Sequence, residues 1–193
     1  MLPKTYEFTV LFGIETDTYD MLGYAVEERF KQVDSNVKLI VNTFVNNHIG
    51  KQVVAYPPYS SKPVNGKPLF WWARNNKLKE ITMPKREIEI YDFVCTYIKE
   101  ISIKDVKRTI EKAIASVDGD FRQEIIIKRW HEVLHVNKNV KLTMASFHIS
   151  CSSGTYIREL VHMLGEETGS GAIASDILRT SIGNYQLKDA ITL

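Results

Sequence analysis

Between Lys4 and Gly13 the side chains alternate. Tyr6, Phe8, Val10 and Phe12 fall on one side of an extended chain, with Glu7, Thr9 and Leu11 on the other. A period of two with that much apolar bulk on one side predicts a strand with a strongly buried face. The same period returns at Glu87-Ile88-Glu89-Ile90-Tyr91-Asp92-Phe93-Val94 and predicts a second strand reaching about Ile101. Helical spacing separates them. Val37, Ile40, Val41, Phe44 and Val45 predict a helix capped by Ser35, running to about Asn47 and stopped by Gly50.

Ser102 with Asp105 resembles a capping box, and Val106, Ile110, Ala113, Ile114 and Val117 then form one stripe ending at Asp118-Gly119-Asp120. Gln123 to Ile149 is rich in Ile, Val, Leu and Phe and is broken at Asn137-Lys138-Asn139, which predicts a hairpin of two long strands. The small-residue turn Cys151-Ser152-Ser153-Gly154-Thr155 opens a helix in which Ile157, Leu160, Val161 and Leu164 share a face. A short helix over about Ala172 to Arg179 and a last strand over Ser181 to Leu187 complete the reading. The expected fold is α+β, a mainly antiparallel (mixed) sheet with flanking helices, in one domain over residues 1–193.

A hydrophobic share of 44% against 25% charged residues excludes a disordered, collagenous or coiled-coil chain. No stretch approaches the roughly 18 apolar residues of a membrane span, so a cytoplasmic protein with no membrane partner is expected. Cys95 and Cys151 are too few for a disulfide framework, which agrees with a reducing compartment. The charges are concentrated. Residues 51–86 hold Lys51, Lys62, Lys67, Arg74, Lys77, Lys79, Lys85 and Arg86 against the single acid Glu80, interleaved with Tyr56, Tyr59, Phe70, Trp71 and Trp72. Flat rings among cations suit a surface that stacks unpaired bases and contacts phosphates, so this Pro-interrupted loop suggests RNA.

His131-Glu132-Val133-Leu134-His135 satisfies H-E-x-x-H, which binds zinc when it lies on a helix. Within the predicted hairpin the two imidazoles would sit about 13 Å apart, too far to share an ion. A zinc hydrolase is therefore the minor alternative, and no metal site is expected.

Three blocks resemble the TruB family of tRNA pseudouridine synthases. The first is Lys4-Thr5-Tyr6 through Gly13 with Thr16-Asp17-Thr18-Tyr19-Asp20-Met21-Leu22-Gly23. The second is Tyr56-Pro57-Pro58-Tyr59-Ser60-Ser61-Lys62 with Gly66-Lys67-Pro68-Leu69-Phe70 and Ala73-Arg74. The third is Cys151-Ser152-Ser153-Gly154-Thr155-Tyr156-Ile157-Arg158-Glu159-Leu160, with Gly169-Ser170-Gly171-Ala172 and Leu178-Arg179-Thr180. The resemblance implies isomerisation of a T-loop uridine in tRNA to pseudouridine, with no metal or organic cofactor and with the T-arm as partner. It implies catalytic roles for Arg158 and Tyr6, and a base-binding pocket bordered by Tyr6, Tyr156 and Leu178. It implies RNA contacts from Lys51, Lys62, Lys67, Arg74, Tyr59 and Arg179.

The family's nucleophilic aspartate lies in a G-x-L-D-P-x-A-x-G segment upstream of the tyrosine block, and no Asp-Pro occurs in these residues. The expectation is an arginine without its carboxylate and a chain incomplete at its N-terminus and inactive alone. It would be a catalytic-domain fragment, one half of a split synthase completed by a separate N-terminal chain, or a non-catalytic RNA-binding module. An exposed sheet edge and self-association should follow. Residues 102–146, read as a helix plus hairpin, match none of the blocks, and the small C-terminal RNA-binding domain of many relatives is not expected here.

Overall fold

The computed structural model describes residues 2–26, 33, 35–119, 121–136 and 140–190. The chain runs β1 (Lys4–Phe12), β2 (Glu15–Thr16), β3 (Ala25–Val26), α1 (Val37–Asn47), β4 (Gly50–Ala55), β5 (Pro63–Val64), β6 (Lys67–Pro68) and α2 (Leu69–Arg74). It continues through β7 (Lys85–Ser102), α3 (Ile103–Ala115), α4 (Gln123–Val136), β8 (Lys141–Cys151), α5 (Ile157–Glu167), β9 (Ala172–Ile182) and β10 (Tyr185–Gln186). Six strands form one sheet in the order β10-β9-β1-β8-β7-β4, every pairing antiparallel. The fold is α+β, as the residue pattern requires.

The period of two in β1 decides which layer sits where. Phe8, Val10 and Phe12 join Phe147, Ile149, Ile90 and Phe93 on one face, covered by Val41, Phe44 and Val45 of α1 and by Ile157, Leu160, Val161 and Leu164 of α5. Leu11 points the other way. There, Leu142 and Ile173 complete a second core with Val106, Ile110 and Ile114 of α3 and Ile126, Trp130, Val133 and Leu134 of α4. Ser102 caps α3 as its spacing predicts, its hydroxyl accepting from the Asp105 amide at 3.2 Å. The first helix starts at Val37 with Asn36, not Ser35, in the cap position.

Two elements differ from the expectation. Gln123–Val136 is a helix, and only Lys141–Cys151 of the expected hairpin is a strand; the intervening 137–139 lie outside the described residues. Ile126, Trp130, Val133 and Leu134 recur at helical spacing and are buried while Ile125 is 61% exposed, so periodicity outweighs β-branched content. Ala172–Ile182 is a strand and not a short helix, because it pairs along the whole length of β1. Its opening residues lie directly beneath α5. A Cβ at Gly165 would run into the backbone of Ala172, so only glycine lets helix and strand approach this closely.

Candidate functional site

The turn before α5 is tied down from two strands. Lys4 Nζ donates to Ser153 Oγ at 2.7 Å, and Arg86 donates to the carbonyls of Gly154 and Ser153, both at 3.2 Å. Gly154 has φ +86°, and a side chain there would occupy the space of the Arg86 guanidinium. The helix therefore starts at a fixed place, with Tyr156 in its cap position and Arg158 in its first turn.

Three acceptors from two loops hold the Arg158 guanidinium. Nη1 donates to Asp20 Oδ2 at 3.0 Å and to the Thr18 carbonyl at 3.1 Å, and Nη2 donates to the Tyr59 carbonyl at 3.2 Å. Asp20, from the Thr16–Gly23 turn and not from an Asp-Pro segment, is thus the carboxylate partner of Arg158. The remaining oxygen of Asp20 accepts from the Thr18 hydroxyl at 2.7 Å and the Leu22 amide at 3.0 Å, so this carboxylate also shapes its own turn. The spacing Thr18-x-Asp20-x-Leu22 signals the turn, but nothing in it signals the arginine.

Tyr6 sits opposite Arg179 across β1 and β9, and the guanidinium hydrogen-bonds the phenol. Burial raises the Tyr6 pKa above its ordinary 10.0, with Arg179 opposing. Leu178 does not join them. It pairs with Glu7 and lines a cavity on the other face with Thr9, Ser146 and His148; Ile177, opposite Phe8, is the apolar residue that shares the Tyr6 face. A bulge explains the exchange: Val10 pairs with Ala174 but Thr9 with Asp176, so Ser175 is an extra residue that reverses the alternation of β9.

Tyr156 meets Tyr56 edge-on, with ring centres 5.6 Å apart. In the basic segment, Lys62 lies over the Tyr56 ring at 5.4 Å, Lys67 over Trp71 at 3.4 Å and Arg74 over Phe70 at 5.6 Å. Lys67, Arg74 and Arg179 are exposed, as is Lys51 on the edge strand β4. Tyr59 is engaged within the protein. Its hydroxyl donates to Asp17 Oδ2 at 2.8 Å, and burial followed by that carboxylate raises its pKa. Asp17 also accepts from the Tyr24 amide at 2.7 Å and from Arg122 at 3.0 Å. Arg122 had no signal in the sequence, since it comes from the segment that matched no block.

A cavity of about 780 Å³ lies beyond Tyr59 and Asp17 from Arg158 and is bounded by Tyr24, Phe121, Arg122 and Arg74. Among the described residues, Glu15, His162 and Glu166 place one ligand atom each within 4.8 Å of one another, an oxygen, nitrogen, oxygen set. His162 stacks on Tyr19 with ring centres 3.9 Å apart. The H-E-x-x-H residues are on a helix after all, and the inter-imidazole distance assumed for a strand does not apply. His131 Nε2 instead lies 2.8 Å from Glu111 Oε1, and the motif borders a groove between α3 and α4 away from Arg158. No helix among the described residues is long and apolar enough to cross a membrane.

A family model described as TruB family pseudouridylate synthase (N terminal domain) matches residues 1–112. The chain belongs to the TruB family. It is 32% identical over 190 residues to a tRNA pseudouridine synthase B of Bacillus subtilis, covering 98% of this chain and 48% of that protein. The enzyme of the same name from Thermosipho melanesiensis is 30% identical over 189 residues, with 97% and 46% covered. This TruB chain spans about half the length of the curated relatives it matches. Among solved structures, a chain of a Cbf5-Nop10-Gar1 complex aligns with a TM-score of 0.44 and 15% identity, covering 96% of this chain and 32% of that one. The TruB match ends within α3, so all of α4 lies outside it.

Proposed function

We propose that this TruB chain carries the base-holding and RNA-contacting part of a synthase that converts a T-loop uridine of tRNA to pseudouridine in the cytoplasm. The reaction moves the uracil: the bond from the ribose C1′ to N1 breaks, C1′ bonds to C5 instead, C5 loses its proton and N1 takes one up. No other reactant is consumed. The observation that carries the reading is Arg158, fixed in the first turn of α5 by Asp20, Thr18 and Tyr59, on the helix whose cap is Tyr156. Tyr6 would border the flipped base as a neutral phenol, which its raised pKa maintains at neutral pH. Ile177, and not Leu178, would supply the apolar wall beside it. Arg179 and the exposed cations of 51–86 would meet the RNA backbone.

Positioning groups cannot replace a nucleophile, and Asp20 is already committed to Arg158, Thr18 and Leu22. No Asp-Pro dipeptide occurs in the sequence. Tritium release from tRNA carrying 5-tritiated uridine should therefore stay at background with the 193-residue chain and appear when a polypeptide bearing the G-x-L-D-P-x-A-x-G segment is added. Turnover by the chain alone would overturn the proposal.

A further inference from the structure

The α3–α4 hairpin sends the start of its second helix back toward the candidate site. Arg122 and Phe121 immediately precede α4, and both line the cavity of about 780 Å³. That volume lies within the range of about 300–1,000 Å³ typical of small-ligand pockets. The opposite walls are Tyr24, Tyr59, Arg74 and the turn at Asp17 and Tyr19. Four aromatic residues and two arginines thus line one space. Two acids also line it: Asp17 is met by Arg122, the Tyr59 hydroxyl and the Tyr24 amide, and Glu15 Oε1 lies 3.9 Å from His162 Nδ1, so each carboxylate already faces a partner within the protein.

Backbone strain collects here as well. Of the four non-glycine residues with positive φ among the described residues, Tyr19 (64°), Asn76 (54°) and Arg122 (76°) all line this cavity. Asparagine tolerates that conformation; a tyrosine and an arginine in it mark a place where the chain is held against its preference, which is common at binding sites. Cations also flank the rings. Arg122 lies over Tyr59 at 5.5 Å and Arg129 over Tyr24 at 5.6 Å.

The wall between this cleft and Arg158 is one residue thick. Tyr59 turns its ring to the cleft and accepts from Arg158 with its carbonyl; Thr18, whose carbonyl also accepts from Arg158, sits between the cleft residues Asp17 and Tyr19. An RNA strand with one nucleotide at Arg158 would meet the cleft on the other side of Tyr59 and Thr18.

We infer that this cleft is a second nucleotide subsite, which receives the unstacked neighbour of the target uridine between the rings of Tyr24, Tyr59 and Phe121, with the α3–α4 hairpin supplying one wall. The inference rests on the RNA-binding reading above and gives residues 121–122 a role in it. The phosphate of that neighbour would lie toward Arg74, the exposed cation of the rim.

The test is a thermodynamic cycle on T-arm RNA hairpins, intact or with an abasic residue placed 5′ or 3′ of the target uridine. For the wild-type chain, the abasic residue on one side should weaken binding about tenfold, the size of one base–aromatic contact. Tyr24→Ala, Phe121→Ala and the milder Phe121→Leu should lose a similar factor on intact RNA and little more on that abasic RNA. Fully additive losses, or no loss on either abasic RNA, would overturn the subsite. Lys62→Ala with Lys67→Ala, both outside the cleft, should weaken all hairpins alike and reduce the salt dependence. Failure of that arm counts against the RNA reading itself, whereas its success beside an additive cycle removes only the subsite.

Discussion

Arg158 lies in the first turn of α5 and Tyr6 in β1, yet the contacts of neither can be read from its own motif. Arg158 takes its carboxylate from a turn 138 residues earlier, and Tyr6 meets a guanidinium that is its cross-strand neighbour only because β9 is bulged. A sequence displays residue types and local spacing; it does not display which distant acceptor closes a hydrogen bond. Arg122 is the extreme case, a strained residue outside the three motif blocks that reaches Asp17 at 3.0 Å. The pairing of Tyr6 with Arg179 has a measurable sign. The cation favours the phenolate, so Arg179→Ala should move one tyrosine pKa further up, identified by its loss in Tyr6→Phe. A spectrophotometric tyrosinate titration unchanged by Arg179→Ala would show that the two do not interact.

At the level of elements, β1, α1, β7, α3 and α5 were legible because each pairs a clear period with a stop signal. The misreadings have a common cause, namely composition taken over phase. Three consecutive isoleucines at 125–127 suggested a strand, whereas the 3.6-residue recurrence that continues through Trp130 decides for α4. In β9 the extra residue at 175, whose hydroxyl donates to the Thr9 carbonyl at 3.2 Å, reverses the alternation and carries Leu178 away from Tyr6. The helix α5 holds an ionisable group that no pattern reveals. Glu159 is only 7% exposed, and burial raises its pKa from 4.5 to about 7. The unfolded chain gives up that proton near pH 4.5 and the folded chain near 7, so stability falls as pH rises through this window. Glu159→Gln should flatten the fall and gain up to about 3 kcal/mol at pH 8 while changing little at pH 4. Urea unfolding at the two pH values measures it, and an equal effect at both would exclude titration as the cause.

The whole molecule is a sheet with two unlike margins. The β4 margin carries Lys51, a charge of the kind that discourages strand addition, although Val53 is 64% exposed. The β9 margin is different. The short β10 covers only Ser181 and Ile182, and residues 176–180 have no outer strand neighbour among the described residues, with Ile177 38% and Leu178 43% exposed. Self-association is accordingly expected through β9. Sedimentation equilibrium should show a concentration-dependent dimer that Leu178→Lys weakens; a strict monomer at all concentrations would contradict it. Joining like margin to like about a twofold axis uses up the adhesive side of both copies and turns only lysine-bearing sides outward. Growth of that kind is self-limiting, so the chain should crowd into pairs without seeding fibres.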